Sequence, residues 1–319
     1  MPPTENQDSP PVFIIILHWQ GSHYTRACLA SVRALAYENF KILLVDNGSP
    51  DKSGAGIAKQ FPGVMLLETG VNLGFSGGCN AGINYCLENG AQWIWLLNND
   101  TKVGKDSLTA LMKAAAREPK AGALGAMVMT GKGDQFVASG AGEIDFIRAK
   151  TYLRKTAPAG AEYISCDWLS GSNLLLKAEA LRQVGTFNDE YFLYFEDTEL
   201  CWRMRKAGWS CLFVPAARVE HAGGASTEGS RSYWRAYYYT RNRLLFFSKY
   251  SRGLSSLPGL LNIAGHLVRH ALVLRFRGEN GKKQLKAEML GLNDYLGRRL
   301  GKATCLDWCE TDEGPPQTT

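Results

Sequence analysis

The residues best equipped for chemistry fall in four polar clusters, each set against an apolar run. Asn98-Asn99-Asp100 follows Trp93-Ile94-Trp95-Leu96-Leu97. An Asp at the end of a buried strand can hold a divalent cation, which in turn holds a diphosphate. The same residues could instead form an Asx-type turn before the next helix. Asp46-Asn47-Gly48-Ser49 closes a second apolar run, and Asp46 either receives hydrogen bonds from a nucleobase or ribose or shapes a turn. Glu196-Asp197-Thr198-Glu199 follows Tyr194-Phe195. Adjacent carboxylates suit a general base beside a reacting hydroxyl; acids also favour a helix start through its dipole. His221 is a lone imidazole, structural by itself, and a metal ligand if the fold carries it to Asp100.

A glycine-rich stretch, Asn72-Leu73-Gly74-Phe75-Ser76-Gly77-Gly78-Cys79-Asn80, opens a helix after a third apolar run. Glycines there allow close backbone approach and could present amide N–H groups to a ligand; the alternative is a plain turn. It is not a dinucleotide fingerprint, which would follow the first strand, and no Gly-Lys-Ser/Thr makes it a P-loop.

These clusters need strands and helices to position them. Apolar runs at 12–17, 42–45, 64–67 and 93–97 predict strands, the first and last of them buried. Helical periodicity predicts helices at 24–35, 53–60, 81–87 and 106–117. That alternation implies a mostly parallel open α/β sheet with right-handed crossovers, whose ligands bind at the carboxyl ends of the strands. After about residue 130 the rhythm changes, and 131–142 reads as loop. Beyond it come a strand at 174–176, helices at 178–184 and 196–207, a strand at 210–214 ending before Pro215, and a long aromatic, basic helix at 232–249. The expected organisation is a disordered 1–11, a catalytic domain over 12–230, a helical region over 231–302 and a tail over 303–319.

The chain has 319 residues with a net charge of +6, a mild excess that suits phosphate-bearing substrates or an anionic membrane and does not imply nucleic acid. Its eight cysteines are scattered without a CxxC pair, which argues against a zinc module or disulfide framework and makes a reducing compartment the default. The polar N-terminus does not read as a signal peptide, and no apolar run reaches the length of a spanning helix. Leu257, Leu260, Leu261, Ala264, Leu267, Val268, Ala271 and Leu272 form an apolar stripe flanked by Arg269, His270, Arg275, Arg277, Lys282 and Lys283. Such a helix either rests on an anionic headgroup layer or packs on the domain.

Six pieces in order carry a resemblance: Val45-Asp46-Asn47-Gly48-Ser49, Asn72–Gly78, Leu97-Asn98-Asn99-Asp100, Leu169-Ser170-Gly171-Ser172-Asn173, Phe192–Cys201, and Val214-Pro215 leading to His221. Together they resemble a family 2 glycosyltransferase of the GT-A fold, over about residues 12–249. The Asn-Asn-Asp run resembles bacterial rhamnosyltransferases of surface polysaccharide synthesis. The resemblance implies an inverting, metal-dependent transferase moving a sugar from a nucleotide-diphospho-sugar to a glycan or lipid-linked acceptor. It implies Asp197 as base with Glu196 beside it, and Asp100 with His221 on Mg²⁺ or Mn²⁺. Asn98 stands where the family's metal motif has Asp, so the metal is assigned chiefly to Asp100. Donor binding is expected from Asp46, Asn47, Asn72, Gly74, Phe75, Gly77, Gly78, Asn80, Asn98, Asn99 and Asp100. Arg241 and Arg243 are candidate diphosphate partners or a solvated basic face, and Trp168, Gly171 and Asn173 are expected around the acceptor. The implied location is cytoplasmic, peripheral at the inner membrane face. The competing classes are a non-catalytic nucleotide-sugar-binding scaffold, which the retained Asp100, Asp197 and His221 disfavour, and a nicotinamide dehydrogenase, which the missing fingerprint disfavours.

Overall fold

The computed structural model describes residues 9–130, 137–153, 160–222, 231–251, 256–274 and 276–304. Residues 1–8, the tail from 305 with Cys305 and Cys309, Gly223-Gly224 and Arg275 lie outside the described residues, as do the side chains of Leu257 and Leu260. The first half runs β1 (Val12–His18), α1 (Ser22–Arg33), β2 (Phe40–Asp46), α2 (Ser53–Gln60), β3 (Val64–Glu68), α3 (Gly74–Glu88) and β4 (Trp93–Asn98). It continues with β5 (Thr101–Val103), α4 (Ser107–Arg117), β6 (Ala121–Thr130) and β7 (Val137–Ser139). Next come β8 (Ala141–Asp145), β9 (Lys150–Leu153), β10 (Ile164–Ser165), β11 (Trp168–Leu169), β12 (Asn173–Lys177), α5 (Ala178–Val184), α6 (Glu196–Lys206) and β13 (Ser210–His221). Three helices follow: α7 (Arg231–Tyr250), α8 (Ser256–Leu274) and α9 (Gly278–Leu296).

The main sheet has the order β10-β13-β6-β12-β4-β1-β2-β3. The β3-β2-β1-β4 half is parallel throughout, as the strand–helix alternation predicts. β1 and β4 are buried along their whole length. Alternation divides them between two cores. Ile14, Ile16, Trp95 and Leu97 meet α1, α2 and α4 on one face. Phe13, Ile15, Leu17, Ile94 and Leu96 meet α3, α5 and α6 on the other. The sheet is not parallel everywhere, because β12 enters between β4 and β6 antiparallel to both.

Three features depart from the expected elements. β6 is a ten-residue strand in a Gly/Ala-rich segment that lacks the bulky residues marking strands. β7 lies inside 131–142, where loop was expected, and β8 begins there and joins β9 and β11 in a second sheet that was not expected. β13 also runs on past Pro215 to His221. Its ladder with β6 shifts register between Val214 and Arg218, and this irregularity accommodates the proline. That extension lets the end of β13 pair with β5, setting His221 opposite Thr101. The C-terminal helices add an aromatic core in which Tyr191 and Phe195 pack with Phe246, Phe247 and Ile263.

Candidate active site

The carboxyl edge of β4 carries the first cluster. Because His221 pairs opposite Thr101, its Nε2 comes to 3.3 Å from Asp100 Oδ1 and 3.5 Å from Asn98 Nδ2. Burial pushes the Asp100 carboxyl up, and His221 opposes that shift. Asn99 turns the other way: its Nδ2 donates to Gln20 O at 2.8 Å and Thr25 Oγ1 at 3.0 Å. Asn99 is therefore a strut that holds the β4 end against α1. Among the described residues no group of three His, Cys, Asp or Glu side chains could enclose a metal. The Asp100–His221 pair supplies one carboxylate and one imidazole, a set that suits a divalent cation whose remaining positions come from a ligand's oxygens.

The second cluster sits at the start of α6. Asp197 Oδ1 accepts from Thr198 N at 2.6 Å and Thr198 Oγ1 at 3.2 Å, while Oδ2 accepts from Gly171 N at 2.9 Å. A carboxylate oxygen has two lone pairs, so Oδ2 retains acceptor capacity. Burial raises the Asp197 carboxyl, and these hydrogen bonds partly offset the rise. Gly171 permits the contact because any side chain there would meet the Phe75 ring at 3.1 Å. The Gly171 loop is tied to the end of β4 as well, through Asn98 N to Ser172 O at 3.0 Å. Asp100 and Asp197 are thus joined through one short loop.

Glu196 departs from the expected helix-start anion. It is 3% exposed, its Oε2 is buried without a partner, and burial first, then the Asp197 charge, push its carboxyl well up. Its burial without a partner for Oε2 favours the protonated carboxyl. Glu199 receives Arg203 Nε at 2.8 Å and Tyr250 Oη at 2.5 Å, which ties α6 to α7.

The backbone before α6 is unusual. Phe192, Tyr194 and Phe195 have φ of 61°, 66° and 72°, values that bulky residues adopt only under constraint. The constraint comes from α7. Asn242 Nδ2 donates to Tyr191 O, Leu193 O and Tyr194 O at 2.9, 2.7 and 2.8 Å. Arg241 donates to Glu190 O, Tyr191 O and Gly301 O. Phe192 O in turn accepts from Phe75 N and Ser76 N. Asn242 was missed in the sequence, and its one signal is an amide between two arginines on a helix that is otherwise aromatic.

Several expected ligand contacts are structural here. Arg241 is fully buried in its carbonyl contacts, and Arg243 Nε donates to Ala149 O at 2.8 Å, away from the strand ends. Neither forms a solvated basic face, because α7 is packed into the domain. Asp46 accepts from Ser49 N, Ser49 Oγ and Gly54 N at 2.7, 2.7 and 3.1 Å, which is the turn-forming role. The first amides of α3 are taken by Phe192 O rather than offered to a ligand. Gly74, at φ 75°, is required there because a side chain would stand 2.6 Å from that oxygen. Asn47 bonds Gly74 O and Leu73 N, and Asn72 Oδ1 accepts from Gly74 N, so both hold the loop. Gly77 makes room for Leu73 and Gly78 for Asn47. Asn80 bonds Phe187 and Asp189. Asn173 Oδ1 accepts from Ala126 N, locking β12 to β6, and Trp168 lies against Gly142, so of the three acceptor candidates only Gly171 touches the Asp197 carboxylate.

Comparison with known proteins agrees with this geometry. Residues 13–185 match the model of Glycosyl transferase family 2. The chain is 32% identical over 235 residues to the N-acetylglucosaminyl-diphospho-decaprenol L-rhamnosyltransferase of Mycobacterium tuberculosis, covering 67% of this chain and 76% of that one. It is 27% identical over 225 residues to rhamnosyltransferase WbbL of Escherichia coli K12, covering 66% and 83%. In fold it is similar to the mannosyltransferase PcManGT of Pyrobaculum calidifontis, solved with GDP-Man and Mn²⁺, with a TM-score of 0.57 at 12% identity over 92% of this chain and 88% of that one. A family match over more than half the chain and a relative 32% identical over two thirds of it lead to one conclusion: this protein is a glycosyltransferase of family 2, with the GT-A fold and rhamnosyltransferase relatives.

Proposed function

We propose that the chain is an inverting, metal-dependent glycosyltransferase that moves a deoxyhexose such as rhamnose from a nucleotide-diphospho-sugar to a lipid-linked glycan in surface polysaccharide synthesis. The observation that carries this reading is the pairing of Asp100 Oδ1 with His221 Nε2, one loop away from an Asp197 carboxylate with acceptor capacity to spare. Asp197 takes the proton of an acceptor hydroxyl. That hydroxyl oxygen bonds to the anomeric carbon as the bond to the nucleotide diphosphate breaks on the opposite face, so the configuration inverts. Asp100 and His221 would hold the cation, which would neutralise charge on the departing diphosphate. The imidazole ligand favours Mn²⁺ over Mg²⁺, whose usual ligands are all oxygen. The rhamnosyltransferase relatives support the sugar class, and the M. tuberculosis relative's name supports a lipid-linked acceptor.

A membrane-facing location fits α8. Leu261, Val268 and Leu272 are exposed on it, and Arg269 and Arg277 are exposed beside them. No helix among the described residues is long and apolar enough to cross a membrane, so the contact would be peripheral. The test is a panel of nucleotide-diphospho-sugars offered to purified protein with a lipid-linked acceptor extract, read as nucleotide release. Turnover with one deoxyhexose donor, lost in chelator and restored best by Mn²⁺, is expected; full turnover in excess chelator overturns metal dependence.

A further inference from the structure

Arg243 is 5% exposed, and its Nε is committed to Ala149 O in the turn between β8 and β9. Its Nη2 is buried without a partner among the described residues. An arginine keeps its charge at any ordinary pH, so an unmet buried donor on it is costly unless something anionic completes it. Among the described residues no carboxylate does so. The groups acting on its charge are the Tyr239 and Tyr152 hydroxyls, and burial depresses its pKa.

Other cations converge on the same place. Lys150 follows Ala149 directly, and α8 lies over the turn: a side chain on Gly259 would stand 3.0 Å from Phe146 O. One helical face of α8 then presents His266 and His270, their rings stacked at 5.3 Å, with Arg269 between them in sequence. Burial lowers the His266 pKa, and Arg243, His270, Lys150 and Arg269 lower it further, as expected of cations crowding one point. Two acids stand nearby: Glu288, which bonds His270 Nδ1 at 2.8 Å, and Asp145, opposite Lys150 in the β8–β9 ladder and paired with Arg148 at 2.9 Å.

The outer face of α8 has the opposite character. Leu261, Val268, Leu272 and Phe276 are 63%, 61%, 58% and 83% exposed, and the first three share a stripe at helical spacing. Residues 256–302 hold nine Lys/Arg against three Asp/Glu, an excess equal to the +6 of the whole chain. The cluster is also close to the base. Tyr239, one turn before Arg243 on α7, has its ring 5.2 Å from Phe195, which immediately precedes Glu196 and Asp197.

We infer that Arg243, with Lys150, His266 and Arg269, binds the diphosphate of the lipid-linked acceptor, while the lipid's apolar chain lies along the exposed stripe of α8. This rests on the sugar-transfer reading above for the word acceptor, and on the cation cluster for the diphosphate. A diphosphate held here leaves the acceptor sugar to extend past Tyr239 and Phe195 toward Asp197.

The test is flotation of the full chain with three vesicle types: phosphatidylcholine alone, phosphatidylcholine with polyprenyl diphosphate, and phosphatidylcholine with phosphatidylglycerol at matched charge. The wild type should float best with polyprenyl diphosphate, and inorganic pyrophosphate should compete. Arg243→Gln should weaken that preference about tenfold or more, as loss of a charge-assisted contact does. Since Arg243→Gln could also unfold the turn, Lys150→Gln and Arg269→Gln, on less buried residues, are measured beside it and should each weaken the preference. Equal flotation with phosphatidylglycerol would leave only a general anionic surface and overturn the site. Undiminished preference in the folded variants would overturn it too. Nucleotide-sugar binding to the wild type, read separately by calorimetry, reports on the sugar-transfer reading: its absence sinks that reading while leaving the lipid-diphosphate measurement to stand or fall alone.

Discussion

The two sides of the proposed active site are built in different ways. On the cation side, Asp100 and His221 meet because β5 and β13 pair, with Thr101 opposite His221. Ladder register alone delivers both groups. On the base side, Asp197 follows three bulky residues in left-handed backbone, and that shape is held by side chains from α7 and amides from α3. Left-handed backbone at such residues costs about 1–3 kcal/mol each, so this side needs external bracing. Sheet pairing can thus create a metal site at little cost, whereas a base aimed across it takes a loop that the rest of the domain must hold in place.

The sharpest test of that contrast is Asp197→Asn, which keeps shape and removes the proton acceptor. Turnover should fall about 10²–10⁴-fold while donor affinity, measured by calorimetry, stays the same. Near-normal turnover would move the base elsewhere. Asp100→Ala should reproduce the effect of chelator by abolishing cation binding, with melting little changed, because Asp100 contributes no brace to the loop before α6. A large drop in melting temperature would show that the cation side is not the simple product of register described here.

Asn242→Ala tests the brace. It strips the side-chain donor from three buried carbonyls, and each unsatisfied group costs about 1–3 kcal/mol. Stability and turnover should both fall, with Mn²⁺ affinity retained. Equal loss of Mn²⁺ binding would mean that the two sides are one mechanical unit.

The smallest effect concerns pH. Burial raises both the Asp197 and Glu196 carboxyls. A base acts when deprotonated, so turnover should rise with pH through a value above the ordinary carboxylate range of about 4. For stability the sign is opposite. A folded-state pKa above the unfolded one means that the native protein binds the proton more tightly, so the contribution is fully present below about pH 4 and is lost as pH rises through the folded value. Glu196→Gln should therefore melt higher than the parent at neutral pH, with the gap closing in acid. A gap that does not vary with pH would show that Glu196 is not held as a neutral acid.

Much of the scaffold was legible because its signals are local. The runs at 12–17, 42–45, 64–67 and 93–97 are apolar enough to be strands, and all four became β1 to β4, with β3 half-buried at the sheet edge. The acids at 196, 197 and 199 marked the start of α6. Other features carried no local signal. β6 is rich in glycine and alanine, the three-stranded sheet consists of short pairings between distant segments, and Pro215 suggested an end where β13 continues.

By itself the sequence determined which chemical groups are present and which of them stand at strand ends and helix starts, since side-chain periodicity and helix-start chemistry act over a few residues. Only the tertiary structure decided which of those groups remain available. Asp46, Asn99, Asn173 and Arg241 have the right chemistry for ligands, but nearby backbone donors and acceptors occupy them. Asp100 meets His221 at the end of β4, and Asp197 accepts from Gly171 N and Thr198 N at the start of α6. The physical reason is that a polar side chain in a folded interior must find a partner, and whether that partner is the protein's own backbone or a ligand depends on which distant segment lies within about 3 Å.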